Sequence, residues 1–129
     1  MEYRFDAAAR YTRTHEWVRA EGGEAVIGVS DYAQHALSDV VFVEVPGPGA
    51  TLTREKPFTV IESVKAAEDV IAPVTGTVTA KNPRLEKEPE LVNKDPFGDG
   101  WLVRVTIAEA KELDALMDEA AYRKYVAAL

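Results

Sequence analysis

A mainly β protein with helices appended is what this sequence of 129 residues predicts, and three observations carry that expectation. Short runs of β-branched and aromatic residues recur through the first two-thirds, separated by Gly, Pro, Asn and Asp. Beyond residue 110 the apolar spacing changes to the helical period. The 47% apolar content supports one core, and the length suits one domain.

The elements follow in chain order. Glu16-Trp17-Val18-Arg19 reads as a short strand, turned by Glu21-Gly22-Gly23-Glu24 into Ala25-Val26-Ile27-Gly28-Val29. Ser30 offers a hydroxyl to cap a short helix near 31–38, in which Tyr32, Ala33, Ala36 and Leu37 share an apolar face. Val40 to Val45 is a β-branched strand ended by Pro46-Gly47-Pro48-Gly49. Phe58 to Val64 and Asp69 to Ala72 form a hairpin with only Lys65 to Glu68 between them. Val74 to Thr79 alternates as a strand, and the turn-rich stretch Asn93 to Gly100 delivers a last one, Trp101 to Ile107. Helices near 110–128 close the chain, with Leu113, Leu116 and Met117 on one stripe and Tyr122, Tyr125, Val126 and Leu129 on another. Asp118 stands where a cap for the second belongs. Leu52-Thr53-Arg54-Glu55-Lys56-Pro57 is echoed by Leu85-Glu86-Lys87-Glu88-Pro89, which suggests two related β-units.

Composition removes several function classes. Fifteen basic against 22 acidic residues give a net charge of −7, which repels a phosphate backbone and an anionic membrane surface alike. The absence of cysteine rules out a thiol nucleophile, a disulfide framework and a thiolate metal site; two histidines are a poor basis for a metal centre. The first ten residues lack the apolar run of a signal peptide, and no apolar stretch approaches the length of a membrane span, so a cytoplasmic location is expected.

Most constellations of reactive residue types have an ordinary explanation. His15 and Glu16 are adjacent on a strand, point to opposite faces, and read as a polar edge. Ser30, Asp31 and His35 contain triad residue types without a nucleophile elbow, Ser30 being already engaged as a cap. Gly47-Pro48-Gly49 is followed by a strand instead of a helix, and Asp95 to Gly100 lacks the acidic spacing of a calcium loop. No catalytic residue is assigned. The hairpin tip stands apart: Lys65 is a lone cation in Glu62-Ser63-Val64-Lys65-Ala66-Ala67-Glu68-Asp69, framed by small or apolar residues in place of Gly, Asn or Pro. A lysine amine projecting from a rigid hairpin is a good acceptor for an acyl group.

Four motifs make the chain similar to a known family. Glu62-Ser63-Val64-Lys65-Ala66 with Asp69-Val70-Ile71-Ala72-Pro73-Val74-Thr75-Gly76 resembles the lipoyl-attachment hairpin of glycine cleavage system H proteins. Tyr11-Thr12 with His15-Glu16-Trp17-Val18 resembles that family's opening. Ile27-Gly28-Val29-Ser30-Asp31-Tyr32-Ala33-Gln34 with Leu37 and Asp39 resembles its helix motif. Pro89, Leu91-Val92-Asn93, Asp95-Pro96-Phe97-Gly98 and Gly100-Trp101 resemble its late turn. Two departures stand out: Ser38 replaces the usual glycine before Asp39, and Ala67-Glu68 replaces a small polar pair before Asp69.

The resemblance implies a lipoyl/biotinyl (barrel-sandwich hybrid, hammerhead) fold of two small antiparallel sheets. It implies one lipoyl-carrier domain, 1–129, with terminal extensions packed on it. It also implies a non-catalytic carrier in one-carbon metabolism, with lipoate joined by an amide to Lys65. Such a carrier takes the aminomethyl group of glycine from a pyridoxal-phosphate (PLP) glycine decarboxylase to a tetrahydrofolate-dependent aminomethyltransferase. Its dithiol is then reoxidised by an FAD-dependent dihydrolipoamide dehydrogenase. A lipoate-attaching enzyme is the fourth partner, with Glu62 and Glu68 as the carboxylates it would recognise by complementary charge. Glu16 and Asp69 are implied as lining a groove that shelters the arm. A carrier relaying lipoyl groups to other lipoate-dependent enzymes and an unmodified interaction module remain open; a biotin carrier would set its lysine between methionines, where Lys65 has Val64 and Ala66.

Overall fold

The computed structural model describes residues 2–129. Nine strands form two antiparallel sheets. The larger has six, in the order β1 (Arg10–Tyr11), β2 (Glu16–Glu21), β3 (Glu24–Val29), β9 (Val103–Ile107), β8 (Gly76–Lys81) and β5 (Thr51–Leu52). The smaller has three, β4 (Val40–Glu44), β6 (Pro57–Ser63) and β7 (Ala67–Ile71). Alternating Val, Ile and Leu from both sheets fill one core between them, with Val18, Ile27, Ile61, Val74, Val78 and Val105 almost wholly buried. The mainly β fold of two sheets is therefore as expected, with the sheets unequal in size.

Short helices connect and cap the sheets: α1 (Asp31–Leu37), a 3₁₀ turn (Pro83–Glu86), α2 (Leu91–Lys94), α3 (Lys111–Asp114) and α4 (Glu119–Ala127). Ser30 caps α1 by accepting from the Ala33 N–H, and Asp118 caps α4 by accepting from Ala121, both as expected. A second, aromatic cluster fastens the chain ends to the outside of β2 and β3. Tyr11 and Tyr122 stack at 4.2 Å, and Trp17 donates to the carbonyls of Val29 and Pro96. The Trp17 ring lies across Gly28, where a Cβ would come within 2.6 Å of it, so only glycine fits there.

Several expectations are corrected. The buried face of α1 is Asp31, Gln34 and Leu37, while Ala36 is exposed and Tyr32 and Ala33 are half-buried. Asp31 and Gln34 are buried because they are hydrogen-bonded, to Arg4, to Asn93 and to each other. The strand placed at Val74–Thr79 begins at Gly76, because the chain bends at Pro73-Val74 before it can pair with β9. The echoing segments diverge, Leu52 lying in a strand and Leu85 in a 3₁₀ turn, so the echo marks no structural repeat. The first C-terminal stripe breaks after Asp114: Met117 leaves the helix and pairs with Tyr11 as an isolated bridge. Leu129 is 63% exposed and takes no part in packing α4.

Candidate functional site

The β6–β7 hairpin carries Lys65 at its tip. Ser63 N–H donates to the Ala66 carbonyl, so Val64 and Lys65 form a two-residue loop, tighter than the Lys65 to Glu68 span expected. Neither residue has positive φ. Mirror-image hairpin turns that demand Gly or Asn are therefore not used, which explains how Val and Lys can occupy the tip. The closure comes from Ser63, whose Oγ accepts from the N–H groups of Lys65 and Ala66 and donates to the Ala66 carbonyl. The Val64 N–H donates to the Asp39 carbonyl at 2.9 Å, tying the tip to the turn after α1. Lys65 is exposed, and among the described residues no ion pair engages it, although carboxylates flank it in sequence.

Beside the hairpin runs a groove of about 250 Å³. Its floor is Val29, Ile61 and Val70; one wall is the Tyr32, Ala33 and Ala36 side of α1, the other Lys65, Ala66, Glu68 and Asp69. The apolar stripe read on α1 is thus real, but its upper part lines this groove instead of joining the core. His15 and Glu16 close one end.

The expected site residues separate by face. Lys65, Glu16, Glu68 and Asp69 all border the groove. Glu62 does not: it stands opposite Phe42 and Ala67 on the outer face of the small sheet, whereas Glu68 stands opposite Ile61 on the groove side. Glu16 is the larger surprise. It is 2% exposed, not a polar edge. One carboxylate oxygen accepts from the Thr12 and Thr14 hydroxyls and the other from the Ile71 N–H, which latches β2 to β7. Burial pushes this carboxyl above the ordinary carboxylate range, against the pull of the Ile71, Thr14 and Thr12 hydrogen bonds.

His15 has φ 78° and stacks beside Tyr32 and Tyr125, its Nδ1 2.8 Å from the Tyr122 hydroxyl, which in turn meets Ser30 Oγ at 2.7 Å. Burial lowers its imidazole below the ordinary range, favouring the neutral ring at the groove end. The motif context did not reveal Ser63, Asp39 or Tyr122 as supports of the site. Ser63 had a local signal, a hydroxyl directly before a turn; the other two act through contacts distant in sequence.

An exposed, unpaired amine on a rigid tip beside a partly apolar groove is a fit place for an acyl arm: the amine is free to form the amide and the groove has room for the arm's apolar end. Among the described residues there is no cluster that could hold a metal ion and no helix long and apolar enough to cross a membrane. A family model described as glycine cleavage H-protein matches residues 9–128. A probable glycine cleavage system H protein from Haloarcula marismortui is 52% identical over 117 residues, 91% of this chain and 92% of that protein. The glycine cleavage system H protein of Marinobacter nauticus is 51% identical over 120 residues, 92% of each chain. The crystal structure of such a protein from Mycobacterium marinum aligns with a TM-score of 0.87 at 29% identity, over 95% of this chain and 99% of that one. On fold, hairpin and kinship together, the chain belongs to the glycine cleavage H-protein family.

Proposed function

We propose that this protein is the lipoyl-bearing carrier of a glycine cleavage system and that Lys65 is the residue modified. Proteins of this family are carriers without catalysis of their own and hold lipoate on a lysine. They serve the decarboxylase, the aminomethyltransferase and the dihydrolipoamide dehydrogenase in turn. The observation that carries the assignment is the geometry of Lys65: exposed, without an ion pair, and at the tip of a hairpin closed by Ser63 beside the groove. When attached, lipoate supplies the dithiolane that accepts the glycine-derived aminomethyl group and then gives up electrons as a dithiol.

The protein's own residues supply reach and shelter. The hairpin sets the origin of the arm, so that one tethered group meets successive enzymes at high effective concentration. Ile61, Val70 and Val29 give the groove a dry floor, and Asp69 and Glu68 at its mouth attract a cationic amine where screening is weaker than in bulk water. Glu16 at the closed end orients the groove through Ile71 and keeps a lone pair for the same amine on Oε2, since Oε1 already accepts from both Thr12 and Thr14. Glu62 and Glu68 serve recognition by the lipoate-attaching enzyme from opposite sides of the hairpin. Residues 1–129 act as one carrier domain, and a cytoplasmic location accompanies this reading, supported by the cysteine-free composition.

Intact mass after expression in lipoylating cells tests the assignment. Wild type gains one lipoyl group and its net charge moves from −7 to −8, because a cation becomes a neutral amide. Lys65→Arg gains none. Lipoyl mass on Lys65→Arg, or none on wild type, overturns it.

A further inference from the structure

Exposed large apolar side chains are few in this protein, and they are not scattered. Of Val41, Phe42, Val60, Val64 and Leu129, three lie on strands of the small sheet and a fourth, Val64, in the loop at its hairpin tip. Register explains the cluster. A bulge between Val40 and Phe42 turns Val41 and Phe42 both outward between the buried Val40 and Val43. Phe42 then stands opposite Glu62, and Val60 opposite Glu44 on one side and Asp69 on the other. The outer face is therefore a chequerboard in which Phe42 (50% exposed) and Val60 (42%) occupy one diagonal and Glu44 and Glu62 the other. Phe58, half-buried and packed against the core, borders the same depression, and Lys81 is the one cation lining it.

This face meets the groove at Asp69, which borders the groove and stands opposite Val60, and it is continuous with the hairpin tip through Glu62 and Val64. Packing does not need it, since the sheet buries its other side. We propose that it is the docking surface for the enzyme that acylates Lys65, whose complementary face is an apolar patch rimmed by lysine or arginine. The proposal rests on the assignment of Lys65 above.

Two physical arguments select that occupant. A second copy of this chain would bring four like-charged carboxylates, Glu44 and Glu62 from each copy, into one interface, and such repulsion works against self-pairing. Among the enzymes served by the carrier, those acting on the far end of the arm reach their target an arm's length from the Lys65 amine. The acylating enzyme has only the lysine side chain between its active site and the hairpin backbone. It must therefore cover the flank, where Glu62 lies about 10 Å along the strand from Lys65 and Val60 about 16 Å. In that step the neutral Lys65 amine attacks an activated lipoyl carboxyl, an acyl adenylate: the C–N bond forms, the C–O bond to phosphate breaks, and adenylate and one proton leave.

The test uses the full-length apo protein and a lipoate-attaching enzyme with ATP and free lipoate, followed by intact mass with time. Phe42→Thr/Val60→Thr keeps β-compatible residues at exposed positions. It should lower kcat/KM at least tenfold while changing the rate at saturating carrier less than threefold. Glu44→Lys/Glu62→Lys should slow the reaction similarly at low salt, with the gap closing as salt rises. Carriers lipoylated to completion should be reduced and reoxidised by dihydrolipoamide dehydrogenase within twofold of wild type. Rates of lipoylation within twofold of wild type for both variants overturn the docking surface, as does a larger loss with the dehydrogenase than with the attaching enzyme. A wild-type dimer at micromolar concentration by sedimentation overturns it too, since the face would then be covered by a second copy. Wild type that gains no lipoyl mass instead brings down the Lys65 assignment, which keeps the two failures distinct.

Discussion

Ser38 sits at φ 65° and ψ −156°, a region that only glycine occupies without strain, and its hydroxyl is buried with no partner. Both penalties vanish in Ser38→Gly, which should raise stability by about 1–3 kcal/mol, read as a higher urea midpoint at unchanged slope. The departure was legible in the sequence as a serine in a glycine's place; the orphaned hydroxyl was not, since it depends on how Asn93 takes the Ser38 carbonyl from the far side. The burial of Glu16 is hidden from local sequence for a related reason, because its partner Ile71 lies 55 residues away. Its carboxyl is raised in the native state, so the native chain holds that proton more tightly than the unfolded one. The resulting stability is fully present below the ordinary carboxylate value and is lost as pH rises through the raised one. Glu16→Gln removes this titration and keeps an acceptor for Ile71; the stability of the variant relative to wild type should therefore climb as pH rises above the ordinary carboxylate range. Glu16→Ala removes the titration too but leaves that N–H without its acceptor, so it should lie about 1–3 kcal/mol below Glu16→Gln at every pH. Equal midpoints for the two variants at every pH would show that Glu16 is not the latch described.

At the scale of the element, the hairpin and α1 are two walls joined by one short connection. Asp39 accepts from Val64, Val40 pairs with Ser63, and the helix ends one residue earlier at Ser38. Period-two patterning made both strands of the hairpin legible, because Ile61 and Val70 must face inward to bury apolar area. Its exact turn was not legible, since no local rule distinguishes a loop closed by a serine hydroxyl from a longer one. Removing that hydroxyl in Ser63→Ala forfeits about 0.5–1.5 kcal/mol of local hydrogen bonding. Amide exchange at Ala66 should accelerate about 2- to 10-fold, with the core-facing Ile61 amide unchanged; no acceleration at Ala66 would assign the closure to the backbone alone. The missed helical turn at Leu91–Lys94 has a comparable cause. Its four residues are too few for a periodic signal and are held by Gly100, where a Cβ would lie 2.4 Å from the Leu91 carbonyl oxygen.

Across the whole molecule the two chain ends converge on β2 and β3. Arg4 reaches Asp31 with both backbone and side-chain N–H groups, and α4 returns Tyr122 to Tyr11, His15 and Ser30. Burial raises the Asp31 carboxyl, but the hydrogen bonds from Arg4 and Gln34 outweigh it and hold the group below its ordinary value. Helical period announced α4, and it announced Tyr122 and Val126 as its buried residues. It could not announce that Met117 would abandon the preceding stripe for a bridge to Tyr11, which is a tertiary contact over the length of the chain. Tyr122→Ala empties a fully buried aromatic site and strands the Ser30 and His15 polar atoms; a loss of about 3–5 kcal/mol is expected by analogy with buried Phe→Ala changes. Tyr122→Phe, which keeps the ring stack, should lose about 1 kcal/mol. Urea denaturation of the pair separates packing from the hydroxyl network.

The order of strands has a temporal consequence. β6 and β7 are neighbours in sequence and can pair as soon as both have left the ribosome, but β3 has to wait for β9, so Ala25 finds Val105 only when synthesis is nearly over. The closed end of the groove at Glu16, and Val29 of its floor, are borrowed from that late-closing sheet, whereas the lysine tip and the other two floor residues, Ile61 and Val70, belong to the early hairpin. A newborn chain thus exposes its modifiable amine before it owns a place to shelter what is attached there, and the interval between the two is governed by the slow, long-range closure of the larger sheet.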